Sequence, residues 1–308
     1  MADAKPRNVG RVALGIVGAA LAWLFAVWPP PIWWRSHWPR ETAMMREATE
    51  GRNDGRGMAY TRSVVPSFRP APLVEISPML QRMVIIGEDS RFRTHHGIDP
   101  TEIADALGIG DVHGVRSAVD ALRRHRDRLR GASTITQQLA KNLYLSSSRS
   151  PLRKLKEAMT ALHLELVLSK DRILELYLST AEWGPGIWGV DAASRAYFGV
   201  PPSHLTVEQG AELAATLPHP RTSNPTFRPE RTLARRDLIL ARYRGVEVSI
   251  PPEEETDSLS MPTPAIPPEV DSLTIGAPIP EDTTQDSLTA RRTDTQGRTA
   301  DSARDSLP

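Results

Sequence analysis

Three kinds of hydrophobic pattern succeed one another along the 308 residues. The first is an unbroken run. Val12–Trp28 is apolar or small throughout, no charged residue stands between Val12 and Trp34, and Pro29, Pro30 and Pro31 close the apolar stretch. As a helix rising about 1.5 Å per residue, the run reaches roughly 26 Å, close to the ~30 Å of a bilayer core. It predicts a single N-terminal transmembrane helix, an uncleaved signal anchor, within residues 12–34. Lys5, Arg7 and Arg11 precede it, so the positive-inside rule leaves residues 1–11 in the cytoplasm and places everything after the helix outside. Trp23, Trp28, Trp33, Trp34 and Trp38 gather at its outer end, as an interfacial aromatic belt would. A cleaved signal peptide is the competing reading, but no clean small-x-small site follows the run. Residues 35–74 read as a juxtamembrane linker.

The second pattern is helical and runs through residues 75–245. Leu155, Met159, Leu162 and Leu166 form an apolar stripe, with Arg153, Lys154 and Glu157 on a polar face of the same helix. Ser169 is placed to cap a helix over Lys170–Leu178. Thr134 with Gln137, and Thr206 with Gln209, have capping-box spacing. No sustained alternation marks a sheet. The expectation is an all-α, mostly helical domain with buried Leu and Ala stripes. The third pattern is the loss of pattern. Residues 251–308 hold 9 Pro, 9 Thr and 6 Ser and no aromatic residue. Such a segment cannot bury enough apolar area to offset its ordering entropy, so 246–308 read as a disordered tail. The triplet Asp-Ser-Leu recurs there at 257–259, 271–273, 286–288 and 305–307. Composition alone can generate it, and so can a short linear motif.

Charge sharpens this division. The formal net charge of +1 hides two regimes. Residues 251–308 hold 12 Asp/Glu against 4 Lys/Arg, a net of −8, and residues 1–250 hold 34 Lys/Arg against 25 Asp/Glu, a net of +9. With no cysteine, disulfides, thiolate nucleophiles and Cys-ligated metals are excluded. There is no Walker loop, no Rossmann glycine pattern and no His-Glu-x-x-His helix. His95 and His96 are adjacent and cannot both face one metal from a helix, so no dedicated metal site is expected. The basic run Arg123, Arg124, His125, Arg126, Arg128, Arg130 lacks interleaved aromatics. It fits anionic lipid or a solvated helix face better than nucleic acid, and no nucleic-acid partner is expected.

Three blocks carry more specific information. The first is Glu88-Asp89-Ser-Arg-Phe92-Arg-Thr-His95-His-Gly97. The second is Gly131-Ala-Ser133-Thr134-Ile-Thr136-Gln137-Gln138-Leu-Ala-Lys141-Asn142. The third is Arg153-Lys154-Leu-Lys-Glu157, followed by Ser169-Lys170-Asp-Arg-Ile-Leu-Glu175-Leu-Tyr177-Leu178. Trp183-Gly184-Pro185-Gly186, Tyr197-Phe198-Gly199 and the stretch Ala214–Pro225 continue the series. In this order the blocks resemble the peptidoglycan glycosyltransferases of the glycosyltransferase 51 family, over about residues 75–228. The chain after Arg228 leaves no room for a transpeptidase domain, so the resemblance is to the family's monofunctional biosynthetic members.

The resemblance implies a lysozyme-like glycosyltransferase domain at residues 75–245, on the outer side of the cytoplasmic membrane. It implies inverting polymerisation of lipid II into β-1,4-linked glycan with release of undecaprenyl pyrophosphate. Glu88 matches the general base that deprotonates the acceptor hydroxyl. Glu157 matches the second carboxylate, which organises cations or a divalent metal around the pyrophosphate. Lys141, Arg149, Arg153 and Lys154 match the phosphate binders that stabilise the leaving group. Ser133, Thr136, Gln137, Gln138 and Asn142 suit sugar hydroxyls. Asp89, Phe92 and His95 are assigned to substrate binding or to shaping the site. A divalent cation (Mg or Mn) at the pyrophosphate is an option, and no organic cofactor is implied. Expected partners are lipid II, the growing glycan strand, the membrane and other cell-wall synthesis or division proteins. Two departures stand out. The interval from Gly97 to Gly131 is longer than usual, placing an insertion around Ala106–Arg128 in the membrane-proximal jaw. Ser179 stands where the family has Asn. Two rival readings remain open: a peptidoglycan-cleaving enzyme, and a non-catalytic scaffold recruiting partners through its tail.

Overall fold

A computed structural model describes residues 7–50, 68–107, 133–148 and 150–250. The acidic tail from residue 251, most of the jaw insertion with its basic run, and Arg149 lie outside the described residues. The element order is α1 (Arg7–Phe25), α2 (Ala43–Thr49), α3 (Pro78–Glu88), α4 (Pro100–Leu107), α5 (Ile135–Tyr144), α6 (Pro151–Val167), α7 (Lys170–Thr180), β1 (Glu182–Gly184), β2 (Ile187–Trp188), α8 (Val190–Phe198), α9 (Val207–Thr216) and α10 (Pro229–Tyr243). The domain is mostly helical.

Local chemistry explains where the helices start. Thr134 and Gln137 form a complete capping box on α5, as do Thr206 and Gln209 on α9. Ser150 accepts from the amide of Arg153 at the start of α6, and Ser169 from that of Arg172 at the start of α7. Pro78, Pro151 and Pro229 occupy first-turn positions, where a missing N–H costs nothing. The core gathers Leu80, Met83 and Val84 of α3, Ile135 and Leu139 of α5, Leu164 of α6, Ile173, Leu174 and Leu178 of α7, Leu213 of α9 and Ile239 of α10.

Four features depart from expectation. Helix α6 turns its polar side inward. Glu157, Thr160, Ala161 and Leu164 are buried, whereas Leu155 of the predicted stripe is 49 % exposed and Leu166 is 80 % exposed. Periodicity assigned residues to faces correctly but could not say which face packs on the core. Next, a two-stranded antiparallel hairpin, β1–β2, interrupts the helical order. Its strands are too short to alternate visibly. Gly189 ends it at φ +83°, where an added Cβ would lie 2.6 Å from the carbonyl oxygen of Ser179. Third, Ser179 is fully buried and exchanges two bonds with Ala71, accepting from its amide at 3.1 Å and donating to its carbonyl at 3.2 Å. The Asn-to-Ser departure therefore leaves no polar group there unpaired.

The fourth concerns the N-terminal run. It forms a helix, but α1 ends at Phe25 rather than near Trp34. Among the described residues no helix is long and apolar enough to cross a membrane. Trp34 sits in a 3-10 turn (Pro31–Arg35), is 5 % exposed and donates from its indole N–H to the hydroxyl of Tyr144 at 2.5 Å. Arg172 donates to the carbonyls of Trp34 and His37 and stacks over Trp38. Trp34 and Trp38 thus pack on the domain instead of joining an interfacial belt, because Arg172 and Tyr144 supply polar partners within it. Helix α2 packs Met45 and Ala48 against Trp188 of the hairpin.

Candidate active site

Glu88 is the last residue of α3, and its side chain is 6 % exposed. The chain then turns through the rest of the first block. Asp89 accepts from His95 Nε2 at 2.9–3.0 Å and from the backbone amide of Ile135 at 2.9 Å. Thr134 Oγ1 donates to the carbonyl of Gly97 at 2.7 Å. Gly97 makes that approach at φ +86°, where a Cβ would press on the backbone of Ala161 at 3.1 Å. These bonds staple the first block to the N-terminus of α5.

Helix α5 carries the next layer. Gln138 donates to Glu88 Oε2 at 3.0 Å and accepts from the hydroxyl of Tyr177 at 2.9 Å. Lys141 stands three residues on, and residues three apart share a helix face. Lys141 lies within electrostatic reach of Glu157, Lys154, Arg153 and Glu182. Burial depresses its ammonium, Lys154 and Arg153 push the same way, and Glu157 opposes them.

Glu157 holds the cationic cluster together. It is 2 % exposed. Oε2 accepts from Arg153 at 2.7 Å, and Oε1 from Lys154 at 2.5 Å. Lys154 also donates to Ser133 Oγ at 2.7 Å, tying the second block to the third. Arg153 and Lys154 sit in the first turn of α6, the end where a helix dipole disfavours positive charge. An anion seated there would relieve both the dipole and the cluster.

Other groups emerge as supports. Phe92 is fully buried with Lys170 Nζ 4.5 Å over its ring. Thr136 donates to Glu165, which also takes Lys170. Gln137 is spent on the α5 cap. Phe92, Asp89, His95, Thr136 and Gln137 therefore hold the fold of the site together, and Asn142 is buried on α5.

Asp89, His95 and Asp99 place ligand atoms within 4.8 Å of one another. Asp89 is taken by His95 and Ile135, and Asp99 by Arg91 and the amides of Thr101 and Glu102. At Glu157 both oxygens are likewise taken by cations. These carboxylates are thus engaged within the protein, and the chemistry of the cationic cluster suits an anion.

Two neighbours of the site were invisible in the sequence. Arg235 of α10 approaches Glu88 Oε1 at 3.6 Å and donates to the carbonyl of Gly87 at 2.9 Å. Glu47 of α2 accepts from both the amide and the hydroxyl of Ser147 at 2.8 Å, fixing the loop between the two cation-bearing helices α5 and α6. No local pattern flags either one, since each acts on a residue about a hundred or more positions away.

Comparison with known proteins bears on this arrangement. The transglycosylase family model matches residues 58–244. A biosynthetic peptidoglycan transglycosylase of Azoarcus sp. (strain BH72) is 37 % identical over 242 residues, covering 79 % of this chain and 97 % of the relative. A protein of the same name from Thiobacillus denitrificans is 38 % identical over 245 residues, covering 80 % and 97 %. Another, from Herminiimonas arsenicoxydans, is 39 % identical over 217 residues, covering 70 % and 86 %. The matched span takes in every element from α3 to α10, including both carboxylates and the cationic cluster between them, and the chain belongs to the transglycosylase family of glycosyl-transferring enzymes.

Proposed function

We propose that the chain polymerises peptidoglycan glycan strands from lipid II in cell-wall biosynthesis. One observation carries the reading. A single helix, α5, presents Gln138 to the Glu88 carboxylate and, one turn later, Lys141 to the Glu157 cluster. The partner of a proton acceptor and a phosphate-binding group thus share one helix face.

Chemistry follows from that pairing. Glu88 takes the proton of the acceptor GlcNAc 4-hydroxyl. The freed oxygen attacks C1 of the donor sugar, and the C1–O bond to the pyrophosphate breaks with its electron pair. The leaving group is α-linked, so attack from the opposite face gives a β-1,4 bond. Lys141, Arg153 and Lys154 meet the charge that develops on the departing pyrophosphate, in a preset arrangement that needs no reorganisation. Arg offers a fork to phosphate oxygens, Lys a mobile point charge. A divalent cation would enter bound to the pyrophosphate itself, since the protein donors are engaged.

Helix α1 is read as the membrane anchor of a single-pass protein, with the catalytic domain on the outer side. Val12, Leu14, Ile16, Val17 and Leu21 are all at least half exposed on it, and Leu152, Leu155 and Leu166 of α6 add exposed apolar surface on the domain. Tethering would confine enzyme and lipid substrate to one surface. Because Trp34 belongs to the core, a soluble form should begin just before Pro31. That truncation is expected to lose more activity on membranes than in detergent, and an equal loss in both would count against the anchor.

The deciding experiment incubates the full chain in detergent with lipid II. Polymer from the wild-type protein and none from Glu88→Gln is expected. Trimming of preformed glycan without polymer would instead identify a hydrolase and overturn the reading.

A further inference from the structure

The two oxygens of Glu88 are treated differently. Oε2 accepts from Gln138 at 3.0 Å. Oε1 is buried and accepts no hydrogen bond among the described residues. The nearest cation, Arg235 Nη2, stands 3.6 Å from it, too far for a hydrogen bond. That same nitrogen donates to the carbonyl of Gly87, the residue before Glu88, at 2.9 Å. The guanidinium is 7 % exposed and held in place by the backbone. It lends its charge to Oε1 without occupying the oxygen's lone pairs.

We infer that Arg235, held by the Gly87 carbonyl with its guanidinium 3.6 Å from Oε1, tunes the charge of Glu88 as a base. This rests on Glu88 being the base proposed above. The acceptor O–H breaks, its proton goes to the Glu88 carboxylate, and its electron pair forms the bond to C1 as the pyrophosphate leaves with the old one. The Gln138 bond at Oε2 fixes the carboxylate's rotation. Arg235 is a positioning residue, because it acts through Glu88.

The surrounding charges fit this role. Burial is the largest influence on Glu88 and pushes its carboxyl above the usual range. Against it work Arg235 from α10, the Gln138 bond from α5 and His219 from the loop after α9, while neighbouring Asp89 pushes upward. Tyr177 of α7 is itself driven well above its ordinary value by burial and then by Glu88, so it remains a neutral hydroxyl. Arg235 therefore supplies the leading opposition to burial. Arginine suits the position because it stays charged when buried, whereas a buried lysine readily loses its proton.

The test is the pH dependence of kcat/KM for lipid II polymerisation by the full chain in detergent. Removing a raised base's cation moves the acid limb to higher pH. Arg235→Gln should shift that limb upward by about one unit, which is a tenfold loss below it, and the loss should shrink as the pH rises. A loss equal at every pH, with the limb unmoved, would mean that Arg235 only supports the fold and overturns the inference. If Arg235→Gln does not fold, Arg235→Met decides, since it removes the charge and keeps an unbranched stem. The limb should again move upward, and an unmoved limb overturns the inference. A wild-type chain that makes no polymer overturns the base assignment itself, which is a separate result.

Discussion

Replacing Glu157 by Gln separates its electrostatic role from simple packing. The substitution keeps the shape but leaves Lys141, Arg153 and Lys154 near one another without their shared counter-charge. Removing one partner from a buried ion pair costs about 3–5 kcal/mol. Arg153 is 17 % exposed and Lys154 is 44 % exposed, and a solvated partner contributes little, so the lower end applies. A loss of about 3 kcal/mol in a domain of this size lowers the unfolding midpoint by about 6–12 °C. The assay is thermal unfolding of the full chain in detergent at low salt, with and without inorganic pyrophosphate. Pyrophosphate supplies the missing negative charge, so it should raise the midpoint of Glu157→Gln more than that of the wild type. A midpoint within about 2 °C of wild type, or equal stabilisation of both proteins, refutes the reasoning.

Lys141 gives the site an alkaline limb. Burial depresses its pKa, so its charge is present at low pH and lost as the pH rises through a value below that of an ordinary lysine. Inhibition by a short-chain prenyl pyrophosphate should weaken over that range, and Lys141→Arg should extend tight inhibition to higher pH. Gly189→Ala forces a side chain into a backbone region that is essentially glycine-only and against a carbonyl 2.6 Å away. It should cost about 3 kcal/mol or more in urea unfolding, and a loss below about 1 kcal/mol would show that the hairpin shifts freely. Glu47→Ala frees the loop at Ser147, so KM for lipid II should rise more than kcat falls. The opposite split would assign Glu47 to overall stability.

Much of this architecture was legible because it is written locally. Both capping boxes and the Ser169 cap lie where residue spacing put them, since a cap needs only its own first turn. The motif blocks also pointed to Arg153 and Lys154 meeting Glu157, whereas Gln138, read for sugar hydroxyls, is found on Glu88. What stayed hidden is long-range or depends on the solvent. The leucine stripe of α6 looked like a core face because apolar normally means inside. Here Leu155 and Leu166 are exposed, and the buried face of α6 is the one that carries Glu157. Trp34 was assigned to a membrane interface by its neighbours in sequence, whereas its partner Tyr144 is 110 positions away. Arg235 lies on a helix that also sends Ile239 and Leu240 into the core, and nothing nearby in sequence announces its contact with Gly87 and Glu88.

Helix α5 explains why the supporting residues matter to chemistry they never touch. In the proposed reaction, proton removal and leaving-group stabilisation must happen at a fixed separation, and the spacing of Gln138 and Lys141 on one helix helps to set it. A small rotation of α5 would therefore mis-set both at once. Its N-terminus is pinned by Asp89 on the amide of Ile135, by Thr134 on the carbonyl of Gly97 and by its own capping box. Its far end is pinned by Tyr144 on Trp34, and the loop beyond it by Glu47 on Ser147. The pins at the far end come from residues 31–50, which follow the apolar N-terminal helix and precede the span matched by the family model. The segment nearest the proposed anchor is thus built into the same framework that spaces Glu88 from the cations around Glu157.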